Sequence, residues 1–329
     1  MAFLIRRRTL TSLALAGALP AISVAQTDDA GNWPARPITL VVPYPPGGTS
    51  DIIGRQLAEL LRKELGQAVL VQNKAGAATA IGAAFVAHAP QDGYTLLLAP
   101  GTTFTVAPHL NDKLPYKLAD FDPVAAVCTI GLAFVVKKDF PAKNLQEFVA
   151  YAKAHPGQVN NATTGQGGMI HLMGELIASG LGIQMTMVHY KGASPATVDM
   201  IAGVVDSNVE GLTTAMPNIK AGKYRAFAVL GAERQPLMPD VPTFKELGYP
   251  SIVGETLYAV FAPAGVPKPV IDKLSAAVRK ATTSTSFAQA MHDIGNEPRS
   301  NTPEELRQGT LEQSREWGEL IKRLNIKAE

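Results

Sequence analysis

The sequence predicts an α/β protein of two lobes with a ligand cleft between them. Short β-branched runs alternate with amphipathic helical runs, an order typical of parallel sheets with right-handed crossovers. At 329 residues the chain is longer than most single hydrophobic cores, so two lobes are expected. Hydrophobic residues make up 46% and charged residues 18% of the chain, which indicates a globular rather than a disordered protein.

The first set of elements begins with Ile38–Val42, whose β-branched content predicts a buried strand. A Pro/Gly loop follows, and Thr49 or Ser50 then begins a helix that ends at Gly66. The same alternation continues along the chain. It predicts strands at 69–72 and 94–99 and a helix at 81–89.

A second set of elements follows after residue 131, with the same alternation. Two C-terminal helices complete the pattern, the second opened by a capping box between Thr302 and Glu305. The predicted strands are 132–136, a segment from 157 to 161, 185–189, 206–209 and 224–230. The predicted helices are 145–154, one around 170–179, 269–281 and one that begins at 302.

Residues 1–25 predict a secretory signal peptide rather than part of the fold. Arg6, Arg7 and Arg8 precede a short apolar stretch, and Ala25 ends a small-x-small cleavage pattern. The apolar stretch is too short to span a membrane, and the arginines permit either a Sec or a twin-arginine signal. Removing this segment takes away three arginines and no acidic residue, which turns the formal net charge of +2 slightly negative. The expected location is a bacterial periplasm.

Composition excludes several classes of protein. The near-neutral charge gives no reason to expect nucleic-acid binding. Cys128 is the single cysteine, so no intramolecular disulfide and no multi-cysteine metal site can form. The six histidines show no HExxH or HxH spacing, and we expect neither a metal nor a cofactor.

Three loops rich in glycine and small hydroxyl residues each follow a strand and precede a helix. Free N–H groups and the positive end of the helix dipole make such places good anion sites. No loop matches the GxxxxGK[ST] or GxGxxG phosphate motifs, which favours a carboxylate over a nucleotide. Any one of them also fits a tight structural turn. The first loop is Tyr44–Asp51, the second is Gly76–Gly82 and the third is Thr163–Gly168.

Three further side chains carry alternative interpretations. Glu210 is expected either to accept from an amine or hydroxyl of a ligand or to be a solvated loop acid. His171 is expected either to donate to a carboxylate or to support a helix terminus. Asp51 is expected to cap its own helix, to touch the ligand, or both.

The chain resembles the Bug-type, TctC-like periplasmic solute-binding proteins of the tripartite tricarboxylate transporters. The resemblance covers nearly the whole sequence after the signal segment. Its anchors are short but their order and spacing are specific. They include Pro43–Gly48 with Asp51 and Arg55, Asn73 with Gly76–Ala77, Asp92–Leu97, Leu114–Tyr116, His171–Leu172, Tyr190–Gly192, Ala221–Lys223, Pro239–Thr243 and Ala262–Gly265.

The resemblance implies a type II-like Venus flytrap fold of the periplasmic binding proteins, and a monomer that binds a small organic acid. The ligand would pass to a two-component membrane permease. The implied lobes are residues 34–126 with 258–329, and residues 127–257, with hinge crossings near Val124–Cys128 and Leu257–Phe261. The implied ligand contacts are Tyr44, Gly47, Gly48, Thr49, Asp51, Gly76, Ala77, Ala78, Thr79, Thr163, Thr164, Gly165, Gly167, Gly168, His171 and Glu210.

This sequence departs from the family pattern in three places. Ala78 and Thr79 stand where the second loop usually has glycines, Glu210 stands where an aspartate is usual, and Leu257 replaces a tryptophan. We expect these changes to affect the choice of ligand and leave the fold unchanged.

Two other classes of function stay open at the level of sequence. A periplasmic hydrolase or lyase acting on an organic acid would need a nucleophile or base with an orienting group, and no such spacing is present. A sensory protein whose closed form docks on a receptor kinase would have the same sequence features.

Overall fold

The computed structural model describes residues 32–323. Eleven strands and eleven helices lie in this part of the chain, with one-turn 3₁₀ helices at Ala77–Thr79 and Leu118–Asp120. The strands are β1 Ile38–Val42, β2 Val69–Asn73, β3 Thr95–Pro100, β4 Phe121–Ile130, β5 Leu132–Lys137, β6 Val159–Thr163, β7 Met185–His189, β8 Ser207–Gly211, β9 Tyr224–Val229, β10 Thr256–Pro263 and β11 Asn296–Pro298. The helices are α1 Thr49–Leu65, α2 Ala80–Ala87, α3 Thr102–Thr105, α4 Ala107–Leu110, α5 Leu145–Ala154, α6 Met169–Leu181, α7 Ala193–Ile201, α8 Leu212–Lys220, α9 Lys268–Thr282, α10 Thr285–His292 and α11 Pro303–Arg323.

Two separate sheets confirm the two-lobed architecture. The first has the strand order β11-β4-β10-β3-β1-β2 and the second the order β7-β6-β8-β5-β9. β1 pairs in parallel with β2 and β3, and β6 pairs in parallel with β7 and β8, as the strand–helix alternation predicts.

The remaining strand pairs are antiparallel, so the sheets are mixed and not wholly parallel as expected. The strands β4, β5 and β10 account for this difference. Each of these strands lies at or next to the point where the chain passes from one sheet to the other. No helix connects it to a neighbouring strand of its own sheet, and it is this helical crossover that requires parallel pairing.

The chain changes sheet at Gly131, because β4 runs to Ile130 in the first sheet and β5 begins at Leu132 in the second. It returns before Thr256, where β10 begins. The expected hinge segments, 124–128 and 257–261, instead pair with each other inside the first sheet, as Ala126 with Ala259. The position of the hinge stays a prediction.

Helix α1 shows how local sequence positions the site. Its buried residues Ile53, Leu57 and Leu61 recur at helical spacing and pack into the core of the first lobe. Burial of each such side chain stabilises the fold by about 1.5–3 kcal/mol. The helix ends at Gly66, whose φ of 68° is favourable for glycine and lets its N–H cap the Arg62 carbonyl.

The capping box predicted at the start of α11 is present. The Thr302 hydroxyl accepts from the Glu305 N–H at 3.2 Å, and the Glu305 carboxylate accepts from the Thr302 N–H at 2.7 Å. Within residues 32–323 no helix is both long and apolar enough to cross a membrane.

Candidate ligand-binding site

Four helices begin at the cleft between the lobes, and each follows the carboxyl end of a strand. Their N-cap residues are all glycines: Gly48 of α1, Gly168 of α6, Gly192 of α7 and Gly211 of α8. Within the described residues no side chain caps any of the four. By contrast, α5 and α10 carry side-chain caps from Asn144 and Ser284. The helices at the cleft therefore keep first-turn N–H groups and a partial positive charge of about 0.5 each for a ligand.

A cavity of about 60 Å³ lies where these helices converge. That space exceeds the roughly 10–15 Å³ that one water molecule needs. Both lobes line it. The lining residues are Tyr44, Pro45, Gly48, Thr49, Ser50, Pro100, Ile130, Leu132, Thr164, Met169, Ile170, Ala193, Asn208, Val209, Glu210, Gly211, Thr256 and Tyr258.

The first loop is held from behind by Asp51. The Asp51 carboxylate accepts from the Gly47 N–H at 3.0 Å, from Asn73 Nδ2 at 3.0 Å and from Arg55 Nε at 2.9 Å. Burial pushes the pKa of this carboxyl upward, but the hydrogen bonds from Arg55, Gly47 and Asn73 outweigh it, so the pKa lies below its ordinary value. Asp51 does not line the cavity. Asp51 is therefore a positioning residue for the first loop, and its carboxylate bonds to Gly47 before the helix and does not cap α1.

The second loop carries unusual backbone strain. Ala77, Ala78 and Thr79 have φ values of 46°, 47° and 87°, a region that residues with a Cβ rarely adopt. The Thr79 hydroxyl shares a 3.0 Å hydrogen bond with Thr103, which anchors the end of the loop. Ala78 packs against the third loop, because a Cβ on Gly165 would lie 3.1 Å from its Cα. The second and third loops therefore meet across the cleft.

The third loop places Thr164 in the cavity and His171 behind it. Burial raises the pKa of the Tyr44 phenol, and a hydrogen bond with the Thr164 side chain opposes part of that rise. His171 Nδ1 accepts from the Gly167 N–H at 3.1 Å, and its Nε2 lies 3.6 Å from Glu175. His171 thus supports the loop and does not line the cavity.

The cavity wall contains buried polar residues, some of whose atoms have no partner among the described residues. Glu210 is 2% exposed, Asn208 1% and Thr256 5%. Thr197 donates to Glu210 Oε1 at 3.1 Å, but Glu210 Oε2 has no hydrogen-bond partner among the described residues. The same is true of the Thr256 hydroxyl, while the Asn208 and Thr214 side chains lie close enough to Glu210 to lower the pKa of its carboxyl. Buried polar atoms cost free energy when they stay unpaired, so these atoms are suited to pair with polar groups of a ligand.

Burial raises the pKa of the Glu210 carboxyl to about 7, against the opposing effect of the nearby Thr214, Thr197 and Asn208 side chains. Its charge in turn helps burial to raise the pKa of Tyr224. Glu210 is therefore a buried acid at the end of its strand, and the expectation of a solvated loop acid is wrong.

The structure places five of the predicted contacts in the cavity wall. They are Tyr44, Gly48, Thr49, Thr164 and Glu210. Gly76 and Thr79 belong to the second loop, and Thr163, Gly165 and Gly168 belong to the third. None of these five residues lines the cavity. Ala77, Ala78 and Gly167 line a separate cavity of about 320 Å³ with Leu110 and Lys113. As ligand contacts all of these stay predictions.

Several cavity residues escaped sequence reasoning. Asn208 lies two residues before Glu210 on β8, so the period of two in a strand sets both on the same face. Gly192 and Gly211 repeat the strand–glycine–helix signal of the other loops, and that signal identifies α7 and α8 in advance. Thr256 and Tyr258 gave no signal, because they reach the cavity from β10, remote in sequence.

Across residues 32–323 no group of three or more His, Cys, Asp or Glu side chains is placed to hold an ion. Cys128 is fully buried, and burial raises the pKa of its thiol to about 12, which is the behaviour of a packing residue.

A two-lobed α/β fold with a cavity between helix N-termini defines a periplasmic binding protein. The chain belongs to the tripartite tricarboxylate transporter family of receptors, which residues 53–326 match. It is 36% identical over 306 residues to the protein BugT of Bordetella pertussis, covering 92% of this chain and 94% of that one.

Two solved structures show the same fold at comparable identity. The periplasmic binding protein BugD is 34% identical, with a TM-score of 0.87, and the match covers 90% of this chain and all of BugD. MatC of Rhodopseudomonas palustris, solved with bound malate, is 32% identical with a TM-score of 0.83, covering 88% of this chain and all of MatC.

Proposed function

We propose that this receptor captures a small organic acid in the periplasm and delivers it to a two-component membrane permease. The single observation that carries the proposal is the convergence of four uncapped glycine N-termini on one interlobe cavity. N–H groups at a helix start bind anions without a basic side chain. The bound malate of MatC, a protein with the same fold, supports a carboxylate as the ligand.

Binding through backbone amides explains why a cavity without basic side chains selects an anion. Closure of the lobes removes the carboxylate from water and sets it against donors whose positions are already fixed. A charge-assisted hydrogen bond of this kind contributes about 1.5–3 kcal/mol, and several act together. The free energy of closure then depends on the ligand, and the closed form is the one presented to the permease.

We propose further that the protein turns over no substrate. The Thr163 hydroxyl lies 2.7 Å from His189 Nδ1. This geometry resembles that of a nucleophile paired with a general base. Neither residue lines the cavity, so the pair is not placed to attack a ligand bound there. A docking role on a receptor kinase is the alternative destination for the closed form.

Export, subunit number and lobe boundaries complete the proposal. The signal peptide at residues 1–25 lies outside the described residues and stays a prediction, as do the periplasmic destination it implies and the monomeric state. The lobes as moving units also stay a prediction, with residues 34–126 and 258–329 in the first and residues 127–257 in the second.

Calorimetric titration with a panel of mono-, di- and tricarboxylates tests the function. We expect at least one acid to bind, to raise the midpoint of thermal unfolding, and to do so equally in EDTA. Incubation of the same acid with the protein should leave its concentration unchanged. Absence of binding across the panel would overturn the carboxylate assignment, and consumption of the acid would overturn the receptor role.

A further inference from the structure

The third loop joins the ligand cavity to the contact between the lobes, and His171 supports this loop from behind. We propose that His171 is a pH-sensitive positioning residue. Its neutral imidazole holds the third loop in the shape that binds the ligand, and its protonation releases the loop and weakens binding. The inference concerns regulation of the site described above and rests on the carboxylate-binding function proposed for it.

The shape of the third loop matters on both of its sides. Thr164 lines the cavity. A Cβ on Gly165 would lie 3.1 Å from the Cα of Ala78, and a Cβ on Gly167 would lie 3.7 Å from the Cβ of Leu110. Ala78 and Leu110 both lie in the first lobe. A change in the shape of the loop therefore disturbs the cavity wall and the contact between the lobes together.

The hydrogen bond between Gly167 and His171 fixes the protonation state of the ring. The Gly167 N–H donates to His171 Nδ1 at 3.1 Å, so Nδ1 carries no proton and the single ring proton lies on Nε2. The bond is buried, and His171 is 5% exposed. Protonation would place a second N–H on Nδ1, opposite the Gly167 N–H. Two donors do not bond to each other, so the loop would lose this support.

The backbone of the third loop is able to change shape once that support is gone. Gly165 and Gly167 have φ values of 131° and 73°, in the region that glycine adopts far more readily than other residues. Glycine also gains the most conformational freedom when a segment is released. The His171 bond therefore holds a segment whose own backbone preferences are weak.

Two side chains beside the ring influence whether it is protonated. On the same helix, Glu175 Oε1 lies 3.6 Å from His171 Nε2 and favours the charged imidazolium. On β7, the ring of His189 meets that of His171 edge-on, with 4.9 Å between the ring centroids. A charge on His189 would oppose a charge on His171. The charge of an imidazole ordinarily changes between pH 5 and 8.

Other titratable groups lie near the loop on other elements. Asp112 and Lys113 of the first lobe, which are opposite in charge, line a cavity together with Gly167. Burial raises the pKa of the Tyr44 phenol, which therefore stays neutral in this pH range. The Glu210 carboxyl on β8 has a pKa of about 7 and titrates within the range. A test of His171 must therefore separate its effect from that of Glu210.

The coupling between protons and ligand follows from the contacts that closure makes. In the open form the loop is free to relax around a charged ring, since it then makes no contact with Ala78 or Leu110. The closed form requires the loop intact. Protonation of His171 therefore favours the open form, and the affinity for the ligand falls as the pH falls.

The first test needs no ligand. In nuclear magnetic resonance spectra of the isotope-labelled protein, the ring proton of His171 should lie on Nε2 at pH 8. Between pH 8 and 5 the Gly167 amide resonance should shift with the same midpoint as the His171 ring. His171→Asn keeps an acceptor, Oδ1, at the distance of Nδ1 from Cβ, but this amide does not take up a proton. In that variant the Gly167 resonance should not titrate.

The second test is calorimetric titration at pH 8 and pH 5 with acetate, benzoate, glutamate, succinate and citrate. For an acid that binds, the loss of affinity between pH 8 and pH 5 should be about 10-fold larger in the wild type than in His171→Asn. Ionisation of the acid and of Glu210 is the same in both proteins and cancels in this comparison. At pH 8, His171→Ala should weaken binding about 10-fold, and His171→Asn should restore most of this loss.

His88→Asn is the matched control. His88 Nδ1 lies 2.7 Å from the Ala84 carbonyl oxygen at the end of α2, in the other lobe. This variant should lose the same affinity between pH 8 and pH 5 as the wild type. Circular dichroism checks that each variant is folded.

If His171→Asn does not fold, Glu175→Gln tests the same proposal. It removes the negative partner of the imidazolium, so the midpoint of the wild-type pH profile should move down by about 0.3 pH unit. An unchanged midpoint would overturn the proposal.

The remaining outcomes are equally decisive. A Gly167 amide that does not titrate with His171 would overturn the proposal. An equal loss of affinity at low pH in the wild type and His171→Asn would overturn it while leaving the receptor for carboxylates intact. Failure of all five acids to bind would overturn the carboxylate function, and the pH regulation with it.

Discussion

The Ser194 hydroxyl donates to the backbone carbonyl of Pro46 at 2.9 Å, which ties the first turn of α7 in one lobe to the first loop of the other. Cβ atoms built on Gly47 and Gly48 would lie 3.7 and 3.6 Å from the same hydroxyl oxygen. The two lobes touch here through a serine on one side and glycines on the other. An opening of the proposed cleft would break this hydrogen bond, so we expect it to stabilise the closed form.

Ser194→Ala should weaken ligand binding by about 2–10-fold, since one hydrogen bond of the closed form contributes roughly 0.5–1.5 kcal/mol. The rate of ligand dissociation should rise by the same factor, measured by stopped-flow. Ser314→Ala is the matched control, because Ser314 bonds to His109 within the first lobe at 3.0 Å. Unchanged affinity in Ser194→Ala would show that the contact does not contribute to closure.

Gly48→Val should weaken acid binding by about 10–150-fold, the equivalent of one charge-assisted backbone hydrogen bond. The reason is space and not backbone strain, because Gly48 has an extended φ of −86° and the positive φ of this loop belongs to Gly47, at 81°. A Cβ at Gly48 fits 3.8 Å from that of Ala193, but the valine branches beyond it would hold α7 away.

Gly309→Val provides the control for this change, since a Cβ there meets nothing within 4 Å. Calorimetric titration of both variants gives the comparison. Wild-type affinity in a folded Gly48→Val protein would remove the start of α1 from the site.

Ala77→Gly should raise the free energy of unfolding by about 0.5–1 kcal/mol. An alanine in the left-handed region destabilises the folded state by about 1–2 kcal/mol, which the change to glycine removes. The greater freedom of glycine in the unfolded chain offsets about 0.4–1 kcal/mol of this gain. Ala77 is exposed, so little packing is lost. Ala150→Gly, at an exposed position inside α5, should instead lower the free energy of unfolding by about 1 kcal/mol. Urea unfolding measures both, and equal losses would contradict the strained geometry of the second loop.

Glu210 should make the ligand-free protein less stable as the pH rises. Its folded-state pKa of about 7 lies above the ordinary 4.5. Between those values the folded protein therefore binds more protons than the unfolded chain. The stabilising contribution of Glu210 to the free energy of unfolding is fully present below pH 4.5. It is lost as the pH rises through 7, which lowers the free energy of unfolding by about 3 kcal/mol.

Urea unfolding of the wild type and Glu210→Gln from pH 4.5 to 8 isolates this effect. The other titrating groups are the same in both proteins, so their contributions cancel in the difference. The free energy of unfolding of the wild type minus that of the variant should decrease across this range. A difference that stays flat or increases would place the Glu210 carboxyl in contact with water or with a cation.

Much of the fold was predictable because it follows local periodicity. The predicted bounds of β1, α5 and β7 agree with the structure residue for residue, and those of the other predicted strands differ by one or two residues. β-branched runs and glycine stops act within a few residues of themselves. The antiparallel entry of β4 and β10 was not predictable, since it depends on how the chain passes between lobes.

In the candidate site, too, some residues were predictable from local sequence, whereas the roles of others depend on tertiary contacts. Gly48, Thr49 and Thr164 were predictable from the sequence, because a strand, a glycine and a helix in succession place free N–H groups at the carboxyl edge of a sheet. Asp51 and His171 are chemically suggestive residues that prove to support loops from behind, and only their contacts reveal it.

The sequence by itself determined the family, the two-lobed α/β class and the glycine-led helix starts, because short motifs and local backbone preferences encode them. The tertiary structure alone decided which polar atoms remain unpaired beside Glu210, since Thr256 reaches that cavity from the far side of the chain. Hydrogen-bond satisfaction is a property of the packed molecule, where each atom's partners come from distant segments. The pattern of unpaired polar atoms in this cavity is therefore set by packing and not by any motif.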